Sequence, residues 1–247
     1  MFQPITEVLV QEVRARAPRQ LLDIGCGTGS TTLAAARALG NDAECMGVDI
    51  SRPMTDAAIE RARREGSTAR FVCDDAQTYV FEPDSMDMFI SRFGVMFFEQ
   101  PVTAFANLRR AARNDASLCF IAWRSAEENP YMTTAERVAA AVIDLPARQP
   151  GPGQFAFADW ERTASLLSDG GWPQIDIQPL DVTCTFPESA LVSYFTRLGP
   201  VGVALQQAGE ATLARVAAAV RPAFDPYVHG DEVRYNAACW IIRARAS

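Results

Sequence analysis

The chain has 247 residues, of which 49% are hydrophobic and 21% are charged, and its formal net charge is −7. This size and composition predict a globular protein, whereas the negative charge argues against nucleic acid as a partner. All 23 basic residues are arginine and His229 is the single histidine, which excludes lysine Schiff-base chemistry, a P-loop and a histidine-cluster metal site.

Short apolar runs alternate with helical patterns in the first half of the chain. The runs, each predicted to be a strand, are residues 20–24, 44–50, 68–73, 86–91 and 117–123. The patterns between them predict helices over residues 30–39, 53–65 and 102–113. Strands that are apolar throughout are typical of a parallel sheet with helices on both faces, so this half predicts a doubly wound α/β fold. Such a fold binds its ligand beyond the carboxyl ends of the strands.

The second half of the chain is less regular. In chain order it predicts a helix over 128–146, a loop over 147–158, a helix over 159–169, a strand over 174–186, an insertion over 187–230 that is helical over 203–220, and a strand over 234–246. Together with the first half, these elements predict a seven-stranded, mostly parallel sheet in a single domain of residues 1–247. Residues 18–125 would form the ligand-binding half of that domain. The segments 128–170 and 187–230 would then be helical insertions that cover the active site as a substrate lid.

The sequence LLDIGCGTGS, residues 21–30, places glycines at every second position between a predicted strand and a predicted helix. A dinucleotide fingerprint needs glycine at its first, third and sixth positions; Gly25 and Gly27 fit, but Ser30 holds the sixth. Asp23 at the end of the strand would repel a pyrophosphate and attract a cation. The N-terminus of the next helix suits a carboxylate, and Asp49, which ends the second strand, suits a ribose. A ligand with a cationic centre, a carboxylate and a ribose is indicated, and S-adenosylmethionine has all three.

Several further motifs carry a family resemblance. LLDIGCGTGS is similar to the first motif of class I S-adenosylmethionine-dependent methyltransferases, GVDIS to the second, and FVCDDAQ to the adenine-contacting motif. SRFGVMFF, AFANLRRAARNDASLCFIAW and AACWIIRARA resemble the ubiquinone/menaquinone-biosynthesis-like branch, methyltransferase type 11/25. The resemblance is close over residues 18–125 and loose elsewhere, and it implies a Rossmann-like fold. The sequence departs from the branch in two places: few residues precede the first strand, so the N-terminal lid would be short or missing, and RNDASL replaces a Pro-Gly-Gly turn.

The resemblance also implies which residues bind S-adenosylmethionine and its product S-adenosylhomocysteine. The methionine part would be surrounded by residues of the glycine loop, namely Asp23, Gly25, Cys26, Gly27, Gly29 and Ser30. Asp49 would bind the ribose hydroxyls, while Ile50 and Met54 would pack against the adenine or the ribose. The adenine would be contacted by the loop after the third strand, namely Asp74, Asp75, Ala76 and Gln77. Ser91, just past the fourth strand, would line the methyl-donor end.

The implied activity is methyl transfer to a small organic acceptor by in-line displacement. Aromatic candidates for the acceptor pocket, each of which could instead be a core residue, are Phe93, Phe97, Tyr131, Phe155, Phe157, Trp160 and Phe195. The catalytic candidates are His229 as a base, Arg92 as a group that fixes the acceptor, and Tyr131. The alternatives for these three are a surface turn, a structural ion pair and core packing, respectively.

Other functions and partners stay open at this point. The same fold could use the sulfonium for a rearrangement or cyclisation, or the chain could be a non-catalytic nucleotide-binding protein; a nicotinamide dehydrogenase is a more distant alternative. Residues 138–143, one of the longest apolar runs, are too short to span a bilayer, so no stable membrane insertion is expected. The first twenty residues contain Glu7 and Glu12 and no long apolar stretch, which predicts no signal peptide and a cytoplasmic protein. The cysteines never show C-x-x-C spacing, so no bound metal is expected, and a homodimer is possible.

Overall fold

The structure is a computed structural model that describes residues 1–146 and 151–246. Within these ranges one sheet contains all the strands: β1 (Gln20–Ile24), β2 (Glu44–Asp49), β3 (Arg70–Cys73), β4 (Met86–Arg92), β5 (Ala112–Trp123), β6 (Asp176–Pro187), β7 (Val228–His229) and β8 (Glu232–Arg245). The strand order is β3-β2-β1-β4-β5-β8-β6, with β7 paired to β8. The seven strands expected from the sequence are all present, and β7 is a short eighth strand in a hairpin.

The α-helices of the described residues are α1 (Gln3–Arg16), α2 (Ser30–Leu39), α3 (Arg52–Glu65), α4 (Pro101–Ala111), α5 (Pro130–Ala139), α6 (Trp160–Asp169), α7 (Leu191–Arg197), α8 (Gly199–Leu205) and α9 (Glu210–Val220). Short 3-10 helices cover Gly40–Asp42, Val95–Phe97, Glu188–Ala190 and Arg221–Tyr227. None of the described helices is long and apolar enough to cross a lipid bilayer.

The first five strands run parallel, as their apolar sequences predict. β1 pairs with β2 on one side and β4 on the other, β3 extends the sheet beyond β2, and β5 extends it beyond β4. Successive strands are therefore added in opposite directions on the two sides of β1, which creates a switch point between β1 and β4. In open α/β sheets the ligand crevice lies at such a point, outside the carboxyl ends of the strands.

The rest of the sheet is mixed. β8 runs antiparallel to β5, in a register that pairs Ser117 with Arg245 and Trp123 with Cys239. α2 packs against β1 and β2, α3 against β2 and β3, and α1 against β4 and β5. The doubly wound, mostly parallel α/β fold predicted from the sequence is confirmed.

The chain divides into two compact units. One, named here the core unit, comprises Gln3–Arg124, Pro152–Leu180 and Cys239–Ser247 and contains the parallel strands. The other, the insertion unit, comprises Met1–Phe2, Ser125–Gly151 and Asp181–Ala238. The segment 187–230 falls entirely in the insertion unit, whereas the segment 128–170 is divided between the two units, and its predicted function as a lid stays a prediction.

Several element boundaries differ from the sequence-based expectations. α1, which was not predicted, buries Ile5, Leu9 and Val13, whose spacing of four residues places them on one helical face. β5 begins at Ala112 and includes the RNDASL segment, along which its pairing with β4 is irregular and Asp115 has a φ of +64°. α4 and α5 are shorter than predicted. The predicted loop 147–158 is described only from residue 151 onward.

A buried side chain organises the insertion unit. Asn129 is 1% exposed; its Nδ2 donates to the carbonyl oxygens of Ser125 at 3.0 Å and Ala238 at 2.9 Å. Its Oδ1 accepts a hydrogen bond from the Ala238 N–H at 3.0 Å. Nearby in the sequence, Tyr131 stacks on Tyr235 with ring centroids 4.1 Å apart, in a cluster that includes Tyr194 and Phe224. Apolar burial and satisfied polar groups thus hold α5 and β8 together.

Candidate functional site

The glycine loop between β1 and α2 is shaped by three residues with left-handed backbone: Gly25, Gly27 and Gly29 have φ values of +65°, +54° and +77°. A Cβ atom on Gly25 would lie 2.5 Å from the Cα of Gly94, and one on Gly29 would lie 2.8 Å from the ring of Phe71. The corresponding position on Gly27 meets no heavy atom closer than 3.8 Å. Packing against the rest of the protein therefore requires glycine at positions 25 and 29, whereas Gly27 has open space beside its backbone.

Asp49 at the carboxyl end of β2 closes this loop. Its Oδ2 accepts a hydrogen bond from the Gly27 N–H at 2.8 Å, and its Oδ1 accepts one from the Ser51 N–H at 2.9 Å. Ile50 and Met54 stand beside it with 73% and 47% of their surface exposed. A carboxylate next to exposed apolar side chains can bind a ligand that is polar at one end and flat and apolar at the other. The structure brings these predicted residues together.

Asp23 lies near the carboxyl end of β1, as its place in the sequence predicts. It is 1% exposed, and its Oδ2 accepts a hydrogen bond from the Thr32 hydroxyl on α2 at 2.6 Å. Its Oδ1 has no hydrogen-bond partner within the described part of the chain. Burial raises the pKa of this carboxyl to about 7, although the Thr32 hydrogen bonds and the positive charge of Arg92 act to lower it. A group with this pKa is about half ionised at neutral pH, and the expectation that Asp23 attracts a cationic ligand stays a prediction.

Cys26 and Ser30, the other two predicted residues of the loop, interact within the protein. The Cys26 side chain packs against β2, where a Cβ on Gly47 would lie 2.8 Å from its Sγ. Burial and the nearby Asp23 and Asp49 raise the pKa of the Cys26 thiol, which makes it a poor nucleophile. The Ser30 hydroxyl accepts a hydrogen bond from Arg61 at 2.8 Å. Direct ligand contacts by these two side chains stay a prediction.

The loop after β3 is held in place by side chains. The Oδ1 of Asp75 accepts a hydrogen bond from the Gln77 N–H at 2.9 Å, and its Oδ2 accepts one from the Gln77 Nε2 at 3.0 Å. Asp74 accepts a hydrogen bond from the Asp75 N–H, and Asn107 on α4 donates to the carbonyl oxygen of Ala76 at 3.0 Å. The loop follows β3 and the glycine loop follows β1, so both lie at the carboxyl edge of the parallel strands. Its contact with adenine stays a prediction.

Ser91 does not line an open site. It is completely buried, and its hydroxyl donates a hydrogen bond to the carbonyl oxygen of Ile24 at 2.7 Å. The Ser91 hydroxyl oxygen in turn accepts hydrogen bonds from the N–H groups of Gly94 at 3.1 Å and Val95 at 3.3 Å. The expectation that Ser91 contacts the methyl-donor end therefore gives way to a structural function, in which the residue ties the end of β4 to the end of β1.

The catalytic candidates are distributed over both units. Arg92, in the core unit, donates a hydrogen bond to the hydroxyl of Thr6 on α1 and lies near enough to Asp23 to lower its pKa. Tyr131, in the insertion unit, is 2% exposed, and burial among other tyrosines raises the pKa of its hydroxyl far above neutral, which disfavours the ionised form that a base requires. His229 is exposed in the β7–β8 hairpin, opposite Glu232. The catalytic functions of these three residues stay predictions.

The aromatic candidates for an acceptor pocket differ in their exposure to solvent. Phe157 packs against Phe105 and Phe120 in the core unit, while Phe195 stacks on Phe224 in the insertion unit. The two candidates are 2% and 1% exposed, respectively, which makes them core residues. The remaining candidates of the core unit are at least partly accessible: Phe97 at 59% and Trp160 at 51% are exposed, and Phe93 and Phe155 are half-buried.

Sequence reasoning missed Gly94, whose backbone touches Gly25, and Thr32, which hydrogen-bonds Asp23. Gly94 lies in the SRFGVMFF motif, and an isolated glycine among large side chains is a signal of close backbone approach. Thr32 gives no such signal, because its importance depends on the buried acid that it faces.

Comparison with known proteins agrees with this geometry. Residues 21–115 match the family model described as a methyltransferase domain. An uncharacterized methyltransferase of Bacillus subtilis, YcgJ, is 28% identical over 115 residues, 46% of this chain and 44% of that protein. Nocamycin O-methyltransferase of Saccharothrix syringae is 30% identical over 118 residues (47% and 42%), and demethylmenaquinone methyltransferase of Staphylococcus aureus is 27% identical over 105 residues (42% and 43%). The chain spans less than half the length of these curated relatives.

The similarity of fold extends further than the similarity of sequence. The solved structure of YcgJ superimposes with a TM-score of 0.62 at 17% identity and covers 97% of each chain. At that identity the match shows the fold, which is the Rossmann-like fold expected from the motifs. Residues 21–115 are thus similar in sequence to a methyltransferase domain, and the chain shares the Rossmann-like fold of its solved structural neighbours.

Proposed function

We propose that the chain binds S-adenosylmethionine at the carboxyl edge of β1, β2 and β3 and catalyses transfer of its methyl group to a small organic acceptor. The observation that supports this most strongly is the arrangement around Asp49. A carboxylate that already holds the glycine loop through the Gly27 N–H stands next to Ile50, an apolar residue that is 73% exposed. Exposed aliphatic side chains of this size beside a hydrogen-bonding acid suit a nucleoside, with its ribose on the acid and its base on the apolar surface.

The residues present fit the cofactor. Each oxygen of Asp49 accepts one backbone N–H and, with two lone pairs, has capacity for one further donor, which matches the two hydroxyls of a ribose. The open space at Gly27 lets a ligand approach the backbone closely, and the Oδ1 of Asp23 is an acceptor without a partner among the described residues. The bound cofactor supplies a methyl group activated by a sulfonium.

We infer that the chain contributes mainly binding and alignment to the reaction. Proximity and orientation can account for on the order of 7–11 kcal/mol of a reaction barrier, and an activated methyl group needs a base only when the acceptor must lose a proton. The high pKa of Tyr131 argues against this residue as that base. Relatives named for methylation of nocamycin and demethylmenaquinone support a small-molecule acceptor.

Calorimetry with S-adenosylhomocysteine tests the cofactor site directly. Asp49→Ala removes the acceptor for Gly27 and is expected to weaken binding at least tenfold, whereas Asp56→Ala, which removes an exposed acid from α3, should leave it unchanged. Tight binding of a nicotinamide nucleotide in place of S-adenosylhomocysteine would contradict the proposal.

Turnover tests the reaction. Wild-type protein incubated with S-adenosylmethionine and a panel of phenolic, quinone and amine acceptors is expected to release S-adenosylhomocysteine together with a product heavier by one methylene group. A product formed while the cofactor stays intact would instead favour cyclisation or rearrangement.

A further inference from the structure

The segment that follows β4 makes direct backbone contact with the glycine loop. Gly94 has ordinary helical backbone angles, with φ −76° and ψ −44°, so its conformation does not require glycine. Its surroundings do, because a Cβ there would lie 2.4 Å from the carbonyl oxygen of Ile24 and 2.7 Å from the Cα of Gly25. The reverse construction, a Cβ on Gly25, meets the Cα of Gly94 at 2.5 Å. The segment after β4 and the glycine loop therefore meet backbone to backbone at the switch point between β1 and β4.

The Ser91 hydroxyl joins the same two segments by hydrogen bonds. It donates to Ile24, the residue directly before Gly25, and accepts from the N–H groups of Gly94 and Val95. All three bonds form inside the protein, where Ser91 has no exposed surface. A buried hydroxyl with its donor and both acceptor sites used fixes the relative position of the groups that it links.

Phe93, between these two residues, shows that the segment is held firmly. Its φ of +68° is in the left-handed region, which is unfavourable for a bulky residue. The ring stacks on Trp123 with centroids 4.3 Å apart, and its N–H donates to Ile121 of β5 at 3.0 Å. Such strain persists only when neighbouring contacts determine the conformation, and strained residues are concentrated at functional sites.

We propose that Ser91 and Gly94 are positioning residues for the cofactor site. They set the position of Gly25, and through it the loop whose Gly27 N–H is held by Asp49. This inference rests on the proposed function. A displacement of the loop by the width of a methyl group would move Gly27 away from Asp49, and shifts of about 1 Å in a binding site commonly cost orders of magnitude in rate.

Substitutions at glycines with different surroundings test the proposal. Gly94→Ala introduces a collision at the cofactor loop. Gly170→Ala is the matched control, because its new Cβ would lie 2.6 Å from the Cβ of Phe105. Gly170 caps the C-terminus of α6 in the core unit and, like Gly94, has a negative φ. Gly209→Ala meets no heavy atom within 4 Å and controls for the substitution itself. For each protein the affinity for S-adenosylhomocysteine and the Tm would be measured.

Gly94→Ala is expected to weaken S-adenosylhomocysteine binding at least tenfold, whereas Gly170→Ala, with a similar fall in Tm, should stay within twofold of wild type. Ser91→Ala, which introduces no collision, should fold and bind at least threefold more weakly, so the proposal can be tested even if Gly94→Ala does not fold. Equal losses of affinity in Gly94→Ala and Gly170→Ala, or wild-type affinity in Ser91→Ala, would overturn it. A wild-type protein that does not bind S-adenosylhomocysteine would overturn the proposed function itself.

Discussion

Replacement of Asp23 by asparagine is expected to change how the stability of the fold depends on pH. Burial raises the pKa of this carboxyl from 3.8 to about 7. Between those pH values the folded protein keeps a proton that the unfolded chain has lost, so the contribution of Asp23 to stability falls as the pH rises. Folding disfavours the ionised form of Asp23 by roughly 4 kcal/mol, and the folded protein loses this full amount of stability only above about pH 7.

The magnitude can be worked out for a practical pH range. Asparagine carries no charge, so Asp23→Asn lacks the contribution at every pH. Its amide has a cost of its own, because an NH₂ group would stand where Oδ1 has no partner within the described residues, but that cost does not vary with pH. The free energy of unfolding of the variant minus that of wild type is therefore expected to increase by about 2 kcal/mol between pH 5.5 and pH 8.

Urea unfolding followed by circular dichroism at pH 5.5, 6.5 and 8 measures this difference. Asp56→Asn, which removes the same charge from an exposed position on α3, separates the effect of burial from the effect of net charge. If the free energy of unfolding of Asp23→Asn minus that of wild type stayed constant within about 0.5 kcal/mol, Asp23 would be ionised in the folded protein from pH 5.5 to pH 8. The reasoning from burial would then be refuted.

Three further predictions concern buried groups. Tyr131→Phe removes a buried hydroxyl for which no described residue lies in hydrogen-bonding geometry, so the Tm should stay the same or rise. If turnover fell while the affinity for S-adenosylhomocysteine stayed unchanged, Tyr131 would have a catalytic function. Asn129→Ala leaves the backbone groups of Ala238 unsatisfied and should cost about 2–4 kcal/mol of unfolding free energy in urea titrations. Iodoacetamide followed by peptide mass spectrometry should label half-buried Cys73 before Cys26, whose pKa is raised by burial; the opposite order would contradict the inert thiol.

The sequence determined the elements whose signals are local. The apolar runs and the helical patterns of the first half predicted β1 to β4, α2 and α3, because spacing and capping residues act over a few positions. The loop LLDIGCGTGS together with Asp49 indicated the ligand site, since left-handed backbone at alternate positions needs glycine. These features follow from neighbouring residues, which one sequence contains in full.

Only the tertiary structure decided the features that depend on residues distant along the chain. The full burial of Asp23, which raises its pKa, arises where β1, α2 and Arg92 pack together. The Ser91 hydroxyl and the Ile24 carbonyl oxygen are 67 positions apart, and their hydrogen bond gave Ser91 a structural function that its position in the sequence did not indicate. Likewise, Phe157 and Phe195 became core residues through packing. The charge state and the exposure of a side chain are set by everything that surrounds it, and that surrounding exists only once the chain has folded.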